Sequence, residues 1–207
     1  MTRAALGLAA SSLLLAACGA PSASSEAARS VSDRTRGVSY VVPPGWKAFD
    51  GEIRSPGGSL LTLRVYDLVE ADKKFVAGLP YSLTPQLLEW AQFYYIVLGE
   101  PVTTKTTVAG LPATEFDYPI RVRPKDPPSK VLYWVVTRKT RLFVIRAAFP
   151  PTTLAIDEPA LRDVIAGWGF IDMPEPPAGW TKKGSVPYLL SRSWAVVSER
   201  LGRARSP

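Results

Sequence analysis

Residues 130–139 and 141–149 are two extended, β-rich stretches with one residue, Thr140, between them. Val131, Tyr133 and Val135 alternate along the first, and Leu142, Val144 and Arg146 along the second, so the pair predicts an antiparallel hairpin. No other feature constrains the fold as strongly. Residues 102–108 and 114–122 are also extended. Nearer the start, residues 38–42 form a short β-rich run closed by Pro43-Pro44-Gly45, and Trp46 begins another short segment. In residues 59–67, Leu61, Leu63 and Val65 alternate with Thr62, Arg64 and Tyr66, as in a half-buried strand.

Two helices punctuate the strands. The first is predicted from Thr84 as N-cap and Pro85 at the first helical position through Leu98, with Gly99 as terminator. Its aromatic group, Trp90, Phe93, Tyr94 and Tyr95, is expected to pack into a core covering more than one helix face, with an exposed contact surface as the alternative. The second is predicted to open near Asp157 or Glu158 with Pro159 in its first turn. It would bring Leu161, Val164, Ile165 and Trp168 onto one face and end at Gly169. The order of strand pair, helix, antiparallel meander and closing helix implies an α+β fold, a mostly antiparallel sheet flanked by helices.

The opening Gly37-Val38-Ser39-Tyr40-Val41-Val42-Pro43-Pro44-Gly45-Trp46, the Ala109-Gly110-Leu111-Pro112-Ala113 turn, the Arg141-Leu142-Phe143-Val144-Ile145 strand and the last helix together resemble the PsbP-like (Mog-type) α/β/α sandwich. The resemblance covers about residues 37–171. That fold recurs in bacterial envelope lipoproteins and in the extrinsic PsbP protein of photosystem II. Its members are mostly non-catalytic accessory or binding modules of larger complexes. The resemblance therefore implies a binding or assembly role and carries over no catalytic residues.

Composition points the same way. The chain contains no His, which removes Ser-His-Asp and Cys-His nucleophile pairs, an imidazole base and His-containing zinc sites. With one Cys, it has no internal disulfide and no thiolate cluster. No GxGxxG, P-loop or GxSxG motif occurs. Glu115 and Asp117, two apart on a strand, would share a face; a carboxylate acid–base pair or a Ca²⁺ site is conceivable there, but a solvated face is expected. Asp67, Glu70 and Asp72 read as a solvated loop. No catalytic residue, metal site or cofactor is expected.

The lone cysteine has a specific setting. Arg3 and an uncharged run from Ala4 to Ala17 precede it, the pattern of a secretory leader. Leu15-Ala16-Ala17-Cys18 resembles the lipobox of bacterial lipoproteins, which implies cleavage after residue 17 and diacylglyceryl attachment to Cys18. Two or three acyl chains anchor stably, at roughly 0.8 kcal/mol for each buried methylene. The domains expected are a signal peptide, 1–17; the lipidated Cys18 with a flexible tether, 18–36; the sandwich, 37–172; a Pro-rich linker, 173–179; and a basic segment, 180–207. Localisation is expected to be the cell envelope, facing the periplasm. The outer membrane is favoured because Gly19, not Asp, follows the cysteine.

The formal net charge of +7 is unevenly distributed. Residues 37–172 hold 15 Lys and Arg against 14 Asp and Glu, whereas residues 180–207 hold six against one. In that tail Leu190, Trp194, Val197 and Leu201 predict the apolar stripe of an amphipathic helix, with Arg192 and Arg200 on its flank. Arg192, Trp194, Val197, Arg200 and Leu201 are the candidate partner-binding residues. The tail would dock on its own domain, enter a partner's groove or lie on an anionic membrane. The Pro-rich connection from Arg121 to Lys130 reads as a solvated hairpin tip. Nucleic acid is not expected as a partner, because the aromatics lie at core-like positions and do not interleave with Lys and Arg. The expected function is a non-catalytic binding or assembly module of an envelope complex. The alternative is a carrier or sensor of a small amphiphile, and an acid-based hydrolase ranks third.

Overall fold

The computed structural model describes residues 27–67 and 84–174. Eight strands form one antiparallel sheet: β3 (Lys47–Phe49), β4 (Glu52–Arg54), β5 (Leu60–Asp67), β6 (Ile96–Val97), β7 (Val102–Val108), β8 (Leu111–Arg121), β9 (Ser129–Arg138) and β10 (Arg141–Ala148). Their order is β3-β4-β5-β10-β9-β8-β6, and β7 also pairs with β8. A second sheet has the order β1-β2-β11, from β1 (Arg29–Asp33), β2 (Val38–Val42) and β11 (Gly169–Phe170). Helices α1 (Thr84–Tyr94) and α2 (Leu154–Ala166) complete the α+β fold.

Strand β9 explains the layering. Its inner residues are apolar in succession, so period-two alternation sends Leu132, Trp134 and Val136 to one core and Val131, Tyr133 and Val135 to the other. The first core lies under the small sheet and α2: Val38, Tyr40 and Val42 meet Leu161, Val164, Ile165 and Trp168, and the rings of Tyr40 and Trp168 stack at 5.1 Å. The second lies under α1, where Leu87 and Ala91 cover Phe116, Tyr118 and Ile120 of β8. An eleven-residue helix covers only part of that face, and this leaves room for a cleft.

Several boundaries differ from the sequence reading. The hairpin turn has two residues, Lys139 and Thr140, since Arg138 pairs with Arg141. Helix α1 stops at Tyr94, not Leu98. Ile96 and Val97 instead pair with Arg121 and Ile120, and Leu98 N–H donates to Pro119 C=O at 2.8 Å. The open edge of β8 supplies backbone partners that β-branched residues use better in a strand than in a last helical turn. Pro119 falls where β8 changes partner from β7 to β6, so its missing N–H interrupts no ladder. Helix α2 begins one turn earlier than expected: the 150–153 turn leads directly into it, with Asp157 N–H bonded to Thr153 C=O at 2.8 Å, and Pro159 lies inside the helix.

The tether boundary also moves. Residues 29–33, expected to be flexible, form β1 and pair with β2 from Arg29 opposite Val42 to Asp33 opposite Val38. The turn back is held by Asp33, which accepts from both the N–H and the guanidinium of Arg36. A chain beginning at Gly37 is therefore expected to melt several degrees below one beginning at Ala27, because β2 loses its outer partner. Equal melting temperatures by calorimetry would show that β1 contributes nothing. At the other end Ile171 N–H bonds to Gly37 C=O, Arg138 and Lys139 grip Asp172, and Arg141 donates to Pro174 C=O. Those two cations, Lys139 first, hold the Asp172 carboxyl below its usual range. The chain thus enters at the Val42 end of β2 and leaves at the Gly37 end.

Candidate functional site

On the α1 side of the sheet, register places polar residues where the central strands would otherwise be apolar. Arg146 of β10 stands between Thr62 of β5 and Tyr133 of β9, and Arg64 is opposite Val144. Arg64 and Arg146, 82 residues apart in sequence, thereby line one floor. The facing wall is the cleft side of α1 and the residue after it: Glu89, Trp90, Phe93, Tyr94 and Tyr95. Between floor and wall is an open cleft of about 640 Å³, within the size range of small-molecule sites.

Each arginine lies against a ring. The Arg64 guanidinium is 5.5 Å from the Trp90 centroid, and that of Arg146 is 5.2 Å from Tyr94 and 5.4 Å from Tyr95. Arg146 also donates to the Tyr95 hydroxyl. Two buried polar atoms here make no hydrogen bond of good geometry, Arg146 Nε and the Tyr133 hydroxyl. Burial pushes the Tyr133 phenol up to about 12, although the Arg146 guanidinium beside that hydroxyl pulls against the upward shift, so it stays protonated and available as a donor at neutral pH. The rim carries exposed rings, with Phe93 80% and Tyr94 54% accessible. Core packing of these two rings, expected from the sequence, is thus not what the fold does with them. Trp90 and Tyr95 are packed against the second core.

The carboxylate pair is used differently. Glu115 and Asp117 do share a face, the one under α2, but it is an ion-pair layer and not open solvent. Glu115 accepts from the two terminal nitrogens of Arg162, at 2.8 and 3.1 Å, and from the Trp134 indole N–H at 2.8 Å. Lys130 bridges Asp117 and Glu158 at 3.1 and 3.2 Å. Burial alone would lower the Lys130 ammonium, but hydrogen bonds to those two carboxylates outweigh it and raise the group. Arg162 is likewise raised, chiefly by Glu115. These acids are engaged as anchors for α2. Glu115→Ala is expected to cost about 1–3 kcal/mol, since a buried indole N–H loses its acceptor. Urea unfolding checks this, and a change below experimental error would mean the layer is ornamental.

Asp67, read as loop, ends β5 and accepts from Arg141 at 2.9 Å. The connection at 122–128 is largely exposed, as expected of a hairpin tip. Among the described residues no cluster of three or more Cys, Asp or Glu forms a metal-ligand set, and no helix is long and apolar enough to cross a membrane. Cys18 and the tail candidates Arg192, Trp194, Val197, Arg200 and Leu201 lie outside the described residues, as do Glu70 and Asp72. The cleft itself was not anticipated. Its one sequence signal is a charge in an inward series, Leu142, Val144, Arg146, Ala148, on a strand buried on both faces.

No protein-family model matches the chain, and no curated protein matches its sequence. Among solved structures it is similar to a cyanobacterial PsbP (CyanoP) from Synechocystis sp. PCC 6803, at 15% identity and a TM-score of 0.49 over 75% of this chain and 98% of that one. It is also similar to PA94, a protein of unknown function from Pseudomonas aeruginosa, at 14% identity and a TM-score of 0.43 over 72% and 98%. A third, from Bacteroides thetaiotaomicron, has 11% identity and a TM-score of 0.41 over 66% of this chain and 46% of that one. Neither a role nor a site is carried over from these likenesses.

Proposed function

We propose that the chain is a lipid-tethered, non-catalytic binding module of the bacterial cell envelope, facing the periplasm and attached preferentially at the outer membrane. The observation that carries this reading is the contrast between its two polar surfaces. Glu115, Asp117 and Glu158 of the α2 layer are consumed in ion pairs, whereas the α1 cleft presents Arg64 and Arg146 against exposed aromatic rings, with Asp50, Glu52 and Glu89 also on its lining. Aromatic and arginine side chains concentrated at an open surface are the composition of a recognition site. The lipobox ending in Cys18 supports the tether. The basic tail, with Arg192, Trp194, Val197, Arg200 and Leu201, supplies a second contact for an envelope protein. The tail's root lies at the end of β2 opposite the tether's entry, which suits a module that reaches from the membrane toward a partner.

The test is affinity purification of the lipoprotein from its native membrane followed by mass spectrometry. A stoichiometric envelope protein, lost on deletion of residues 174–207 without a change in melting temperature, is the expected result. The cleft favours a second reading, a carrier or sensor of a small amphiphile. Recovery of a bound lipid with no stoichiometric protein would replace the first reading by the second.

A further inference from the structure

The second reading is sharpened by the two orphaned atoms. A buried donor without a partner costs free energy, and natural folds leave few of them. Here Arg146 Nε and the Tyr133 hydroxyl belong to residues directly opposite each other on adjacent strands, and both residues line the cleft floor. A guanidinium beside a neutral phenol, both residues at the floor of the cleft, is a donor set for an entering carboxylate, which can take two guanidinium hydrogens and the hydroxyl.

The surroundings set the charge and shape of the rest of the ligand. Asp50 and Glu52, also on the cleft lining, are already held by Arg36 at 2.7 Å and Arg54 at 3.5 Å, and Glu89 stands on the wall. These carboxylates admit a single negative charge more readily than a dianion. Phe93 and Tyr94 extend the aromatic wall outward from Arg146, a surface for an apolar chain. We infer that the cleft binds a single-chain amphiphile with one carboxylate, its head group on Arg146 and Tyr133 and its chain along Trp90, Phe93 and Tyr94. This rests on the carrier reading of the cleft and is independent of any protein partner.

The test is calorimetric titration of the full chain carrying Cys18→Ser, so that no acyl group of its own competes. The probes are decanoate, decanol and decyl phosphate. Decanoate is expected to bind at least about tenfold tighter than decanol, the worth of one charge-assisted hydrogen bond. Arg146→Gln should erase that preference while leaving decanol binding unchanged, and Arg146→Lys should restore part of it. Because Arg146 is on a central strand, Phe93→Ala serves as a second variant. Its ring is exposed, so the fold should be kept while decanoate and decanol weaken together. Equal affinity for decanoate and decanol, tighter binding of decyl phosphate, or an unaltered Phe93→Ala profile would each overturn the assignment. Recovery of an envelope protein from membranes bears only on the binding-module reading, so the two can fail separately.

Discussion

Trp134→Ala is expected to lower the free energy of unfolding by about 3–5 kcal/mol, the range for deleting a large buried aromatic side chain. Trp134 lies in the middle of β9 and is 2% exposed. The indole joins three elements: it packs in the core shared by the large sheet, the small sheet and α2, donates to Glu115 of β8, and carries the Arg162 guanidinium of α2 5.9 Å from its ring. Its neighbour provides the control. Tyr133→Phe keeps the ring packed edge-on to Tyr118 and removes a hydroxyl that makes no hydrogen bond of good geometry, so it is expected to change stability by less than about 1 kcal/mol. Urea denaturation of the two variants side by side measures the contrast. Similar losses in both would mean that the two cores do not differ as the structure describes.

Cys18→Ser is expected to move nearly all of the protein from the membrane to the soluble fraction. A lipobox cysteine carries its acyl chains on the thiol and the new amino terminus, and serine offers no thiol for the first attachment. The structure adds a length limit. β1 begins at Arg29, eleven residues after Cys18, so the tether spans at most about 40 Å at full extension. The domain would then be held close to the bilayer surface. Fractionation with metabolic palmitate labelling checks both points. A Cys18→Ser protein that stays with the membrane, or a wild-type chain that takes up no label, would remove the tether from the proposal.

Much of the fold was legible in the sequence. The β9–β10 hairpin, β2, β5 and β7 occur where period-two alternation and Pro or Gly stops placed them, because that signal is written in adjacent residues. Leu161, Val164 and Ile165 do form a buried face of α2, whereas the helix ends at Ala166 and Trp168, expected on it, joins the same core from beyond its end. The misreadings share one cause. Residues 29–33 carry the polar composition of a tether, yet β2 offers an unpaired edge and takes them as a strand. Ile96 and Val97 continue a helical pattern but meet the edge of β8. In both, an available strand edge outweighed local preference.

The candidate site divides in the same way. From the sequence alone came the absence of histidine, the solitary Cys18 just after an uncharged run, the aromatic stretch of α1 and the shared face of Glu115 and Asp117, since each is a property of composition or of nearest neighbours. Only the tertiary structure decided that this acidic face is neutralised by Lys130 and Arg162, and that Arg64 and Arg146 meet beneath the rings of α1. The reason is register. A side chain's face follows from its own strand, but its neighbours follow from which strands pair and at what offset, and a shift of one residue would send Arg146 to the opposite core.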